Sequence, residues 1–412
     1  MINKRKIFND PVYGFISIPN ELAFDLIEHP YFQRLRSIKQ LGLTHLVYPG
    51  ALHTRFHHAL GAMHLLTQAL ETLSYKGIEI TAAENEAVTI AILLHDIGHG
   101  PFSHALEHSI AKGMHHEELS LLFMHELNQQ FGGRLTMAIE IFTNKYHKHF
   151  LHQLVSSQLD MDRLDYLSRD SFFTGVSEGT ISSDRIIKML NVVNDELVIE
   201  SKGIYSVENF IVSRRLMYWQ VYLHKTVLSA ENILVNILKR AKELAQQGVA
   251  DLFASPPFHQ FLYNNYTIDD FKTNTQLLNL FAQIDDYDVM TSIKTWCNHP
   301  DFVLSYLSKC IVNRTLFKIE LRNEPFSEEY LQQKKDAVLA KYPTLNGNEI
   351  NYFVFSNVVE NEIYRSDKVR INISYKDGSI RDVAEASDQL NIAVLNKTVK
   401  KYFICSANLG KQ

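Results

Sequence analysis

"AILLHDIGHGPFSH", residues 91–104, ends an apolar run with three histidines and one aspartate: His95, Asp96, His99 and His104. The segment leading into it, "TAAENEAVTIAILLHD", opens with Thr81 and Glu84 at the spacing of a capping box and then turns wholly apolar. That pattern predicts a central buried helix, apolar all round, broken at Gly98 and Gly100. Pro101 suits the first turn of a following helix. Packing alone gives no reason for so much imidazole at a helix end. An imidazole beside a carboxylate, at a bend in the backbone, suits a borderline divalent ion such as Mn²⁺, Fe²⁺, Ni²⁺ or Zn²⁺ better than Ca²⁺.

Working outward, further donors flank this stretch. Upstream, "HTRFHHALGAMHLL" places His58 at the start of an amphipathic helix. Downstream, "QLDMDRLDYLSRD" crowds Asp160, Asp162 and Asp165 onto a helix that is otherwise half apolar. Of the 19 histidines, ten fall between His53 and His116. Histidine is the commonest metal ligand and a general acid or base near neutral pH, so this clustering locates the chemistry.

The rest of the chain supplies a frame for that centre. The 412 residues are 46% hydrophobic and 21% charged, an ordinary globular composition with ample material for a core. The formal charge of −5 gives no global attraction to nucleic acid, which is therefore not an expected partner. No apolar run has membrane-spanning length, and the basic start "MINKRKIFNDPVYGF" is not followed by the apolar stretch of a signal peptide. Cys297, Cys310 and Cys405 are too widely spaced for a disulfide framework or a zinc finger. Together these features lead us to expect a cytoplasmic protein without a membrane.

Residues 1–310 read as mostly helical. "NELAFDLIEHPYFQRLRSIKQLG" predicts one helix from an Asn20 cap to a stop at Gly42, "HKHFLHQLVSSQLDMDRLDYLSRD" another, and 205–248 a long third. "ELVIESKGIY" predicts a short strand or hairpin between them. From residue 311 the texture changes to short β-branched and aromatic runs, "LFKIEL", "YFVFSNVV", "VRINISY" and "KYFICSA", around one helix in "SEEYLQQKKDAVLAKY". The expected fold is mostly α: a helical body over 1–310, with its metal core within 50–170, and a small α+β lobe over 311–412.

The order His58, His95–Asp96, Asp162 resembles the H…HD…D ligand pattern of the HD-domain phosphohydrolases. "NDPVYG", "FQRLRSIKQLG", "RFHHALG", "HDIGHGPFSH", "HHEE" and "MDRLDYLSRD", spread over residues 9–170, are similar to the deoxynucleoside triphosphate triphosphohydrolase branch, which includes the animal SAM-and-HD-domain enzyme. The likeness continues through "SRRLMYWQVYLHK" and "RTLFK" and does not include the SAM domain. It implies a helical HD body and hydrolysis of dNTPs to deoxynucleoside and inorganic triphosphate.

By that resemblance His58, His95, Asp96 and Asp162 hold one transition metal (Mn, Fe, Ni or Zn), with Mg possible alongside substrate. His104 is the expected proton donor or acceptor at the scissile bond, His116 its partner and His99 a phosphate contact. Arg55, Arg163 and Arg214 match phosphate-binding positions; Arg163 stands where lysine is common, keeping the charge but changing its geometry. Gln40, Leu41, Tyr166, Asp170 and Tyr222 match the sugar pocket, with Asp170 accepting from the 3′-hydroxyl and Tyr166 crowding the 2′ carbon. The resemblance assigns no role to His53, His108 or His115, which read as structural.

The same branch commonly forms oligomers with nucleotide-binding interfaces. A dimer or tetramer activated by a guanine nucleotide is therefore expected, with Lys6, Glu28, Gln33, Arg36, Arg314 and Lys318 at the corresponding positions. Other HD substrates remain open at this level: nucleoside monophosphates, cyclic nucleotides and guanosine tetraphosphate. So does a non-catalytic nucleotide sensor or single-strand-binding protein.

Overall fold

The computed structural model describes residues 6–102, 113, 115–361, 370–387 and 399–409. The helix Ala82–Leu94 runs through the middle of the body, and from Ala87 to Leu94 every residue is buried. Thr81 and Glu84 form the capping box that the sequence predicts, each side chain bonding the other's backbone N–H. Against this rod pack the helices Arg55–Tyr75 and Thr136–Phe142, and Met161–Thr174 packs in turn against Arg55–Tyr75. One continuous apolar core joins these helices to the C-terminal strands.

Three sequence expectations are corrected by local chemistry. The single helix expected over 20–42 is capped by Asn20 as predicted but ends at Glu28. Pro30, which lacks an N–H, starts a new short helix, Pro30–Gln33, followed by a 3-10 turn over Arg34–Ser37. The helix expected over 147–170 is two, His149–Val155 and Met161–Thr174, because Asp160 caps the second by accepting from Arg163 N at 2.7 Å. The long 205–248 helix is likewise divided, into Ile204–Met217 and Lys225–Gln246, by a π-helical turn over Tyr218–Tyr222. Such turns frequently mark functional positions, and this one carries Tyr222. The helix expected from Pro101 falls on residues 103–112, outside the described residues.

Among the described residues nine strands form three small sheets. An N-terminal hairpin pairs β1 (Ile7–Asp10) with β2 (Gly14–Ser17). Of "ELVIESKGIY", the first half forms one strand, β4 (Glu196–Glu200), which pairs with β3 (Leu190–Val193) just before it, the turn passing through Asn194 and Asp195 at φ 53° and 62°. Asx residues tolerate that left-handed geometry, which a two-residue hairpin turn needs. β5 (Lys318–Arg322) and β6 (Val354–Asn361) flank β9 (Val399–Ser406), all antiparallel. β7 (Asn372–Ser374) pairs antiparallel with β8 (Ile380–Asp382) and parallel with β4, so a strand from beyond residue 310 completes a sheet begun before it. The molecule is thus a mostly α body with a small α+β lobe. Among the described residues no helix is long and apolar enough to cross a membrane.

Candidate metal centre and substrate cleft

Three helix ends converge on the His–Asp cluster. His58 lies on the first turn of Arg55–Tyr75, His95 caps the C-terminus of Ala82–Leu94, and Asp162 sits in the first turn of Met161–Thr174. His58 Nε2 is 3.4 Å from His95 Nε2 and 3.1 Å from Asp162 Oδ1. Asp96 closes the group: its Oδ1 is 3.4 Å from His95 Nε2 and its Oδ2 3.7 Å from His58 Nε2. Among the described residues, His58, His95 and Asp162 each bring one donor atom within 4.8 Å of the others, a grouping able to hold a metal ion.

The imidazoles are oriented for ligation from behind. His58 Nδ1 lies 2.7 Å from Asp165 Oδ2, and His95 Nδ1 lies 2.6 Å from the Ile92 carbonyl. Both acceptors claim an Nδ1 hydrogen, leaving each Nε2 lone pair for a cation, the arrangement that metal-binding histidines ordinarily show. Burial opposes charge on His58, but Asp162 and Asp165 outweigh it and raise its pKa to about 10. The carboxylate field that holds a proton there so firmly equally favours a divalent cation. The donors therefore fit a borderline transition metal.

Asp165 does not act alone. Arg169, fully buried, grips both its oxygens at 3.0 Å and reaches Asp10 Oδ2 at 2.7 Å. The chain Asp10–Arg169–Asp165–His58 ties the N-terminal hairpin to the metal group. Its sequence signs are the four-residue spacing of Asp165 and Arg169 on one helical face and the aspartate of "NDPVYG". Gly61 makes room for it: a Cβ there would stand 1.9 Å from Asp165 Oδ1 and 2.2 Å from Arg169 Nη2. Gly98, read in the sequence as a helix breaker, also has a packing reason. A Cβ would meet the His116 carbonyl oxygen at 2.2 Å, and Gly98 N donates to Ser120 Oγ, which donates in turn to the His95 carbonyl.

A cleft of about 780 Å³ opens over the group. Its walls include Asp96 and Asp162, the cations Arg55 and Arg163, His99 and His116, and the expected sugar residues Gln40, Leu41, Tyr166, Asp170 and Tyr222. Residues 231, 232, 234, 235 and 357–359 line the cleft as well. Arg55 Nη1 holds Asp96 Oδ2 at 2.5 Å. Arg163 Nε is bound to the Ser157 carbonyl at 2.6 Å; burial weakens its charge, but Asp160 more than restores it, so its pKa is raised. Arg214 does not line the cleft: its guanidinium lies over the Tyr218 ring and bonds Gln158 Oε1 at 3.2 Å. His99 stacks on His116 with centroids 3.8 Å apart. Burial foremost, then the Arg55 charge, lowers its pKa to about 3. His104 lies outside the described residues.

Two groups without a functional sign in the sequence also face this region. His53 is buried against Asp170, and Asp286 accepts from the backbone N–H groups of Lys39 and Phe102, fixing two ends of the cleft wall. The positions expected for a regulatory nucleotide fall into two sets of contacts. Lys6 pairs with Glu28 at 3.7 Å, Arg36 Nε donates to Gln33 Oε1, and Gln33 Nε2 donates to the Ile27 carbonyl. Arg314 donates instead to the Leu46 carbonyl, and Lys318 starts β5; among the described residues no hydrogen bond or ion pair joins them to the first four.

Known proteins share this plan. The HD domain model matches residues 55–170, and the HD associated region model matches 181–254. A crystal structure of a phosphohydrolase from Bacteroides thetaiotaomicron superposes with a TM-score of 0.95 at 54% identity, covering 98% of this chain and 100% of its own. Bacillus subtilis YwfO, an uncharacterized protein, is 36% identical over 77% of this chain and 72% of its own. The deoxynucleoside triphosphate triphosphohydrolase SAMHD1 homolog of Dictyostelium discoideum is 31% identical over 61% of this chain and 52% of its own. The His and Asp donors at three helix ends, the HD domain match around them and the near-complete superposition on a phosphohydrolase lead to one conclusion: this chain belongs to the HD-domain phosphohydrolases.

Proposed function

We propose that the chain hydrolyses deoxynucleoside triphosphates to deoxynucleoside and inorganic triphosphate. One observation carries the reading: Asp96 and Asp162 of the metal group, Arg55 and Arg163, and the Tyr166–Asp170–Tyr222 cluster all line a single cleft, whose volume of about 780 Å³ accommodates a nucleotide. The named dNTP triphosphohydrolase among its relatives supports the same substrate class.

A divalent ion on His58, His95, Asp96 and Asp162 would supply Lewis acidity towards a phosphate oxygen and towards water. The remaining work falls to the chain. Arg55 and Arg163, with Arg214 behind them, offset the roughly four negative charges of a triphosphate. His99, stacked on His116 beside Asp96, offers a ring N–H to a phosphate oxygen. His104, with His116 as partner, moves the proton that the departing sugar oxygen needs. Asp170 accepts from the 3′-hydroxyl, and Tyr166, one turn earlier on the same helix, occupies the space a 2′-hydroxyl would need.

A guanine nucleotide activator bound between subunits of a homo-oligomer belongs to the same proposal. Lys6, Glu28, Gln33 and Arg36 form one half-site, in which the existing Gln33 and Arg36 contacts must open. Arg314 and Lys318, placed elsewhere on the chain, complete a site from a second subunit.

The test is product analysis with Mn²⁺ or Mg²⁺ and each dNTP, singly and mixed with dGTP. Inorganic triphosphate that disappears in a His95→Ala, Asp96→Ala variant supports the reaction, and dependence on dGTP supports the activator. Cleavage of no dNTP in any mixture rejects the reading and moves the search to monophosphates, cyclic nucleotides and guanosine tetraphosphate.

A further inference from the structure

Asp170 is 2% exposed, and each of its oxygens already meets one donor. Tyr222 Oη donates to Oδ2 at 2.7 Å, and His53 Nε2 faces Oδ1 at 2.7 Å. A carboxylate only accepts, so Nε2 of His53 carries the hydrogen. The ring is itself 1% exposed and stacks on Phe173, with centroids 4.5 Å apart and planes 20° from parallel. Its Nδ1 has no hydrogen-bond partner among the described residues, so the ring's one hydrogen bond there goes to Asp170. Tyr222 and Asp170 line the cleft, whereas His53 stands behind them and is not part of its wall.

Two donors on opposite oxygens stop a carboxylate from turning about its Cβ–Cγ bond and leave its remaining lone pairs aimed in fixed directions. We propose that His53 is a positioning residue for substrate selection: through Asp170 it fixes the acceptor of the sugar 3′-hydroxyl, and so sets the preference for nucleotides that carry that hydroxyl over 3′-deoxy analogues. The inference rests on the dNTP reading of the cleft. With His53 the carboxylate meets the incoming hydroxyl already oriented; without it, Tyr222 alone restrains one oxygen and the group turns away.

The experiment compares kcat/KM for a dNTP and for the 2′,3′-dideoxy analogue of the same base, using the full chain with saturating metal. Wild type is expected to prefer the dNTP by roughly 10- to 100-fold, the worth of a hydrogen bond to a charged group. His53→Phe keeps the stacking on Phe173 but removes the donor; it should bring that ratio to within about threefold of unity while the dideoxy substrate is cleaved at nearly the wild-type rate. His53→Gln places an amide N–H near the Nε2 position and should restore the ratio. Should His53→Phe fail to fold, His53→Asn, whose amide stops short of Asp170, replaces it in the comparison with His53→Gln. An equal loss on both substrates, or an unchanged ratio, overturns the positioning role. A wild type that cleaves both substrates equally overturns the inference while leaving the dNTP reading intact, and a wild type that cleaves neither overturns both.

Discussion

His58 Nδ1 stands 2.7 Å from Asp165 Oδ2, in a pocket from which water is excluded on both sides: neither side chain has any exposed surface. The contact fixes the tautomer of a metal-facing imidazole, and Arg169 holds the carboxylate in turn. The metal group is therefore supported from behind by an ion-pair chain that ends in the N-terminal hairpin at Asp10.

Asp165→Asn keeps the shape of the side chain but weakens its hold on the His58 N–H. Loss of such a supporting partner typically costs 10- to 100-fold in metal affinity. We expect a drop in that range when metal is titrated against a competing chelator, with little change in helix content by circular dichroism.

Gly61→Ala acts on the same pair from the opposite side. The added methyl would overlap Asp165 and Arg169, neither of which has free space to move into. Overpacking of this kind costs about 1–3 kcal/mol. A lower thermal midpoint together with weaker metal binding is expected; a variant as stable as wild type, with unchanged metal affinity, would contradict the close approach.

The cap at the start of the central helix gives a pH signature. Burial works to raise the Glu84 pKa, but Lys148, the Thr81 backbone and Tyr146 outweigh it and bring it down to about 2. A depressed carboxylate contributes stability that is complete above its unfolded value and is lost as pH falls through the folded one. Wild type should therefore exceed Glu84→Gln in stability at pH 7 by roughly 3 kcal/mol. That difference should shrink between pH 4.5 and pH 2, as followed by urea unfolding across the range.

Tyr166 tests the sugar pocket independently of His53. Its ring lines the cleft and meets the Tyr222 ring edge-on, with centroids 6.2 Å apart. Tyr166→Ala should open the space beside the 2′ carbon and reduce the preference for dNTP over rNTP by about tenfold or more, the size of a steric discrimination against one small group. Tyr166→Phe should retain the preference, because on the proposed reading ring volume, not the hydroxyl, does the excluding. Competition between the two nucleotides in one reaction measures both.

The sequence by itself determined the central helix and the family, and singled out His58, His95, Asp96 and Asp162 as the candidate ligands. An apolar run with a capping box can only be a buried helix, and a His–Asp pair at its end, with His58 before it and Asp162 after it, is a pattern of residue types that survives without coordinates. The lobe was legible too, since β-branched runs around one amphipathic helix identify their own local structure. Breaks within helices were less so: Pro30 and the Asp160 cap lie inside sequences whose apolar spacing continues past them, and Tyr218–Tyr222 differs from an ordinary helical turn only in its hydrogen-bond spacing. What only the tertiary structure decided were pairings between distant residues. Asp10 finds Arg169, His53 finds Asp170, and β4 takes β7 as its neighbour. Periodicity reports which side of an element faces the core and is silent about what waits there. A buried charge or imidazole acquires its role from the partner opposite it, and that partner is chosen by packing.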